Sequence, residues 1–372
     1  YNRYIDTHAD QLPASCAGAE WIKPIDERDL ARLAIGVGIR YGLGRVTDQI
    51  ATAAPNQAIA SLVPIDLTLD VEKIGSNAYA FGSDLTDTGR GILLGNPHYP
   101  WQGPSRFHMA HLTLPGEIDF MGVGLIATPR LAIGFNDTIA WSHTVSTALR
   151  FTFFRLDLVP GNSMAYLVGD EERVIEAIEV AVETDAGKEN RTVYLTHLGP
   201  VVAGPNTPWN DQHVYVMRDV NYENYRTGDQ YAAMQRSTDV TQLRQALADH
   251  QGAAFVNTIA ADKAGGALYA DMSAIPNVSV ELIARCAVDQ SAGARITTLN
   301  GSDPSCNWQI DASAAAPGLM PPSQQPSLIT TTYAGNSNDS YWLSNPALRL
   351  EGYSPIIGDE NAQRTLRTRS GL

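Results

Sequence analysis

Ser76 directly follows Gly75, and the pair opens a run, Ser76-Asn77-Ala78-Tyr79-Ala80-Phe81, that alternates as a β-strand does. A serine hydroxyl in that place can attack the carbonyl carbon just before it, making an ester that water then cleaves. The product is a chain beginning with Ser76, whose free α-amine titrates near roughly 7.7–8.0 and sits beside its own hydroxyl. Serine is a weak nucleophile without such a base, and a nucleophile served by its own amino terminus is a variant of the triad logic. A second run, Gly91-Ile92-Leu93-Leu94-Gly95-Asn96-Pro97-His98-Tyr99, follows the turn formers Asp84 to Gly89. Paired as a hairpin, the two runs bring His98 close to Ser76. The dipeptide alone does not decide the matter, because Gly82-Ser83 and Gly301-Ser302 also occur and such pairs are mostly turns or strand starts.

The residues after Ser76 carry more. Ser76-Asn77-Ala78 before an apolar strand, then Gly95-Asn96-Pro97-His98-Tyr99-Pro100-Trp101, resembles the start of the β-subunit in the penicillin acylase family of N-terminal nucleophile hydrolases. Residues 129–137 and 139–145 are similar to that family's next two strands. Residues 231–237 and 261–269 resemble its later landmarks, and Asn336-Ser337-Asn338-Asp339-Ser340 closes the set. The wording is closest to its acyl-homoserine-lactone and aculeacin acylases.

This resemblance implies an α+β fold, the αββα sandwich of N-terminal nucleophile hydrolases. It makes residues 1–75 the end of a helical α-subunit and residues 76–372 the first part of a β-subunit, cut apart between Gly75 and Ser76 into a heterodimer from one precursor. Family precursors begin before this point and extend past Leu372. Ser76 becomes the nucleophile, and the backbone N–H of Val145 and the side-chain amide of Asn338 become the oxyanion donors. An amide suits that task, since it donates without a charge that would need burying; an Asn-Asp turn is the plain alternative. His98 is expected to hydrogen-bond near the serine and its amine. Tyr99 and Trp101 are expected to line the acyl pocket, against a simpler reading as core aromatics. Arg364 resembles a supporting family arginine, against an alternating surface strand of arginines. The penicillin G branch carries acidic calcium ligands where this chain has Ala148, Leu149 and Arg150, which cannot hold a hard cation. No metal and no cofactor are expected.

At 372 residues and 44% hydrophobic, the chain can bury a sizeable core in one large or two smaller domains. A net charge of −14 argues against a nucleic-acid partner. No apolar run is long enough to predict a membrane span. Three cysteines cannot all pair internally. Cys286 and Cys306 flank two loop-like stretches and could close a short disulfide, leaving Cys16 over; three free thiols is the other reading. The resemblance favours the disulfide, because the family is periplasmic or secreted.

Several elements must position these residues. Residues 1–23 read as irregular. Asp26 reads as an N-cap with Asp29 three residues on, followed by Leu30, Leu33, Ala34, Val37 and Tyr41 at helical spacing. Residues 76–160 read as short strands and 151–230 as β-rich, with Glu171, Glu172, Arg173, Glu183 and Asp185 as solvated charges. Thr238 and Asp239 open a helix ending near Gln251-Gly252, and residues 253–260 and 267–272 form a hairpin. Residues 312–325 read as a surface loop. His108 and His111, with His98, raise a metal site, but i and i+3 on a strand face opposite sides, which defeats it.

The expected function is deacylation of small N-acyl substrates, first of all acyl-homoserine lactones with medium or long chains. Penicillin, cephalosporin or lipopeptide acylases would share the mechanism. From different classes come a non-catalytic secreted β-rich binding protein and a His-dependent metallohydrolase.

Overall fold

A computed structural model of the chain describes residues 1–58, 62, 64–65, 75–103, 105–126, 128, 130–184, 187–289 and 296–372. Pro129, Asp185 and the 290–293 loop lie outside the described residues. The first segment is helical. α1 (Asn2–Thr7) stands in a stretch expected to be irregular; the Asn2 side chain both donates to and accepts from the backbone of Ile25, at 2.8 and 2.9 Å. α2 (Glu27–Gly38) starts where predicted. The Asp26 side chain accepts from the N–H groups of Arg28 and Asp29, and Asp29 answers by accepting from Asp26, a reciprocal capping box. The helix stops at Gly38, and Tyr41 falls in a 3-10 turn. α3 (Thr47–Ala51) follows.

Ser76 stands at the head of β1 (Gly75–Phe81), which pairs antiparallel with β2 (Ile92–His98). β3 (Phe107–Leu114), β4 (Ile118–Leu125), β5 (Ile133–Phe135) and β6 (Ile139–Val145) run on as antiparallel neighbours. The β-rich reading of 151–230 holds. It contains β7 (Phe151–Val159), β8 (Asn162–Val168), β9 (Glu171–Val174), β10 (Glu176–Thr184), β11 (Gly187–Thr196), β12 (Gly199–Pro200) and β13 (His213–Asp219).

α4 (Thr227–Arg236) precedes α5 (Val240–His250), whose N-cap Asp239 accepts from the N–H of Gln242 at 2.8 Å and whose C-cap Gln251 is left-handed. The expected hairpin is β14 (Val256–Asp262) with β15 (Ala267–Ala270). α6 (Val280–Cys286), β16 (Ala287–Asp289) and β17 (Thr298–Asn300) lead to β18 (Ser327–Thr330) and β19 (Tyr333–Asn336), and α7 (Leu366–Gly371) closes the chain. Cys286 and Cys306 are disulfide-bonded and Cys16 is a free thiol. One loop departs from expectation. The second half of 312–325 is not on the surface: Leu319, Met320 and Gln325 are buried, and the Gln325 and Gln251 amides both donate to the Met320 carbonyl.

Two sheets face each other. The larger has the order β18-β15-β14-β6-β5-β4-β3 and the smaller β19-β1-β2. Ala78 and Ala80 of β1 are fully buried among Ile259, Ala261, Tyr269 and Ala334, so the small-residue face of β1 lies against the large sheet. Gly95 of β2 sits so close to β6 that a Cβ there would come within 2.9 Å of Ser142. On the far face of the large sheet, Met234, Leu243 and Leu247 of α4 and α5 pack on Phe120, Trp141, Ala260 and Leu268. Each fully buried side chain of this size contributes about 1.5–3 kcal/mol. On the outward face of the small sheet rests the short α7, where the Tyr333 hydroxyl donates to Gly371 at 3.1 Å. The layer order is therefore α-β-β-α, with the last layer a six-residue helix. Among the described residues, no helix is long and apolar enough to cross a membrane.

Candidate active site

Of the three Gly-Ser pairs, Gly75-Ser76 alone heads a β-strand with a buried serine, 1% exposed; Gly82-Ser83 leads into a 3-10 turn and Ser302 lies in a turn. The alternation read along β1 is the one observed. Ser76, Ala78 and Ala80 point to the large sheet, while Tyr79 and Phe81 point out. The Ser76 hydroxyl donates to the carbonyl oxygen of Gly75 at 2.6 Å, so the nucleophile is held against the peptide group it would attack. The Ser76 N–H donates to Asn338 Oδ1. The same amide donates through Nδ2 to the carbonyl of Val145 at 3.3 Å. Asn338 thus sits between the serine and β6.

Its backbone explains how. Asn338 has φ 60°, the left-handed region that asparagine tolerates better than most residues. The Asn-Asp turn is observed, and it directs the Asn338 amide to Ser76 and Val145. Val145 meets it from the other side. Ser146 N–H donates to Phe255 in the ladder between β6 and β14, so the neighbouring pair Val145 and Val256 is the non-hydrogen-bonded one. In such a pair the N–H and C=O point away from the partner strand. The Val145 N–H therefore points to the same side as the carbonyl that Asn338 touches. An amide nitrogen has two hydrogens, and one bond to Val145 leaves the other for a developing oxyanion.

Two arginines stand behind this turn, and only one was anticipated. Arg364 is buried and pairs with Asp339 at 2.8 Å, so it braces the turn beside Asn338. Asp339 also accepts from the Thr368 hydroxyl at 2.8 Å, tying the start of α7 to the turn. The arginines do not form an alternating strand; Thr365 caps a helix. Arg367, the second residue of that helix, is the contact sequence reasoning missed. It donates to Asn338 Oδ1 at 2.8 Å and to the Ser76 carbonyl at 3.3 Å. No spacing signalled it, because Arg364 lies before the Thr365 cap and Arg367 inside the helix. Gly75 makes room for Arg367, since a Cβ on it would lie 2.6 Å from the guanidinium.

Three expected site residues are placed elsewhere. His98 does lie at the strand end beside the nucleophile, but its register partner is Gly75, and Ser76 pairs with Pro97. Side chains alternate, so the His98 ring is on the outward face, exposed, and Ser76 on the inward one. Tyr99 stacks on Phe107 at 4.8 Å between ring centres and is packed rather than presented. Trp101 is 93% exposed. His108 and His111 lie on β3, where His111 bonds Asp119 at 2.5 Å. The buried imidazole on β6, His143, is pushed down to about 4 by burial, so it is neutral at ordinary pH. It faces Tyr231 of α4 at 3.3 Å, on the other side of the sheet.

Comparison with known proteins agrees with this fold. A family model described as penicillin amidase matches residues 1–372. The acyl-homoserine lactone acylase PvdQ of Pseudomonas fluorescens (strain Pf0-1) is 38% identical over 388 residues, covering 100% of this chain and 50% of that protein. The aculeacin-A acylase of Actinoplanes utahensis is 40% identical over 392 residues, with the same two coverages. The chain spans about half the length of these relatives. Among solved structures, a thermostable penicillin G acylase from Alcaligenes faecalis superposes with a TM-score of 0.57 at 18% identity, over 71% of this chain and 44% of that one, a likeness of fold. With a serine at the head of a sandwich strand and a full-length sequence match, the chain belongs to the penicillin amidase family.

Proposed function

We propose that this chain carries the nucleophile of a self-cleaving N-terminal serine amidohydrolase. One observation carries the reading. The Ser76 N–H, the Asn338 amide and the Val145 peptide converge, although they come from three separate strands and turns. In the first step the Ser76 Oγ bonds to the Gly75 carbonyl carbon and the C–N bond to Ser76 breaks, giving an ester and a free amine. Water then cleaves the ester, leaving Gly75 a carboxylate and Ser76 an amino terminus, with the α and β chains held as a heterodimer.

In the catalytic cycle that amine takes the Oγ proton while Oγ attacks the amide carbon of an N-acyl substrate. The Val145 N–H and Asn338 Nδ2 hold the oxyanion, which is the largest single contribution in acyl transfer. The tetrahedral intermediate collapses, the proton passes to the leaving amine, and water releases the acid from the acyl-enzyme. His98 takes no part in this scheme. The substrate class follows the similar proteins: an acyl-homoserine lactone with a medium or long chain first, a lipopeptide or β-lactam amide second. A periplasmic or secreted location is part of the same reading and fits the Cys286–Cys306 disulfide.

Intact-mass analysis of the full-length protein tests the first step. The reading expects a new amino terminus Ser-Asn-Ala-Tyr in the wild type and an unbroken chain in Ser76→Ala. Hydrolysis rates over graded N-acyl-homoserine lactones, with penicillins alongside, then assign the substrate. A Ser76→Ala protein that still hydrolyses any of them sinks the proposal.

A further inference from the structure

We infer that Thr144, Asn257 and Asn336 form a positioning relay that sets the distance between the two oxyanion donors. The inference rests on the reading of Val145 and Asn338 as those donors. Thr144 and Asn257 are directly opposite each other on β6 and β14, and Asn336 ends β19 opposite Ala78 of β1. All three side chains are buried, at 1%, 0% and 6% exposure. They therefore join the two sheets in the layer between them.

The donors and acceptors run in one direction. The buried Tyr269 hydroxyl donates to Asn257 Oδ1 at 2.9 Å, which fixes the Asn257 amide with its nitrogen forward. That nitrogen donates to Thr144 Oγ1 at 2.9 Å, so the Thr144 proton is free to go to Asn336 Oδ1 at 2.7 Å. The same oxygen receives the backbone N–H of Asn338 at 2.8 Å, and Asn336 Nδ2 donates to the Asp339 carbonyl at 2.8 Å. Asn257 Nδ2 also lies 3.5 Å from the Val145 carbonyl.

Position gives the relay its meaning. Thr144 is covalently next to Val145, and Asn336 holds both ends of the turn from which Asn338 projects its amide. Asn338 keeps a left-handed backbone, which the two bonds from Asn336 stabilise. Asparagine is depleted in strands, and buried polar groups cost free energy unless fully partnered. Apolar residues at 144 and 257 would pack the same two sheets without that demand. A fully partnered polar path ending at both donors is what positioning requires.

Steady-state kinetics on the cleaved full-length protein tests this with Thr144→Val, which keeps shape and removes the hydroxyl, and Thr144→Ser, which restores it. Thr144→Val should lower kcat on an N-acyl-homoserine lactone by about 10- to 100-fold with KM nearly unchanged, as expected when a donor is misplaced. Its affinity for an alkylboronic acid, which forms a tetrahedral adduct on the serine, should fall in parallel, and Thr144→Ser should recover both. If Thr144→Val does not fold, Asn257→Asp reverses the relay by accepting the Thr144 proton and should show the same loss confined to kcat. Wild-type kcat and boronate affinity in a folded variant overturn the relay. An active Ser76→Ala protein instead overturns the underlying reading, whatever Thr144 does.

Discussion

The peptide N–H of Ser76 donates to the side-chain oxygen of Asn338, 262 positions further along the chain. In the proposed self-cleavage, breaking the Gly75–Ser76 bond turns that N–H into the free amine, with its acceptor already in place. In that scheme Asn338 serves two ends: its oxygen orients the base and its nitrogen faces the oxyanion. Asn338→Asp separates them, since a carboxylate still accepts from the amine but no longer donates. The cleaved chain should persist by intact mass, while hydrolysis falls about 10²- to 10³-fold, the loss typical of one oxyanion donor. Unchanged hydrolysis would remove Asn338 from the oxyanion site.

Gly75→Ala probes the space before the nucleophile. Its Cβ would stand 2.6 Å from Arg367, so the guanidinium must move off the Ser76 carbonyl. Self-cleavage should slow markedly in a time course of intact mass. Once cleaved, residue 75 belongs to the other chain's carboxyl end, so the kcat of material purified after cleavage should match wild type. A cleavage rate equal to wild type would show that Arg367 has no bearing on the step.

Arg367 gives a sharper test than the arginine first singled out. Its two bonds to Asn338 Oδ1 and the Ser76 carbonyl come from a single planar nitrogen of a guanidinium. A lysine keeps the charge and loses the planar donor. Hydrogen bonds to charged groups contribute about 1.5–3 kcal/mol. Arg367→Lys should therefore cost roughly 10- to 100-fold in kcat/KM, measured on the best lactone substrate. Arg364→Lys acts only through Asp339 and should cost less.

Local signals in the chain were readable, and contacts across the sheets were not. The cap at Asp26, the helix opened by Asp239 and the hairpin of β14 and β15 follow from spacings within a dozen residues, and all appear as read. So does the alternation along β1, because a period of two needs no partner. His98 shows where this stops. The pairing of β1 and β2 was inferred correctly, yet a register offset of one residue sets the ring across from Gly75 and on the wrong face. Thr144, Asn257 and Asn336 are unremarkable in sequence, because their roles arise only where three strands from two sheets meet. The exposure of Trp101 was hidden for a related reason: an aromatic near a motif says nothing of which way its loop turns.

Asp219 ties the first segment to the rest, and it does so at a cost that pH can reveal. Its carboxylate is buried and accepts from the N–H of Leu43 at 2.9 Å and of Asn221 at 2.8 Å. Gly42 leaves room for it, as a Cβ there would overlap the carboxylate. Burial pushes Asp219 up from 3.8 to about 6, outweighing those two N–H bonds and the nearby Arg150. The folded chain then holds a proton that the unfolded chain has released between those two pH values. Stability from this group is fully present below pH 3.8 and lost as pH rises through about 6, a change of about 3 kcal/mol. Asp219→Asn removes the titration. Urea unfolding at pH 4, 5, 6 and 7 should show the variant's stability falling less across this window than the wild type's, and parallel curves would show that Asp219 does not titrate there.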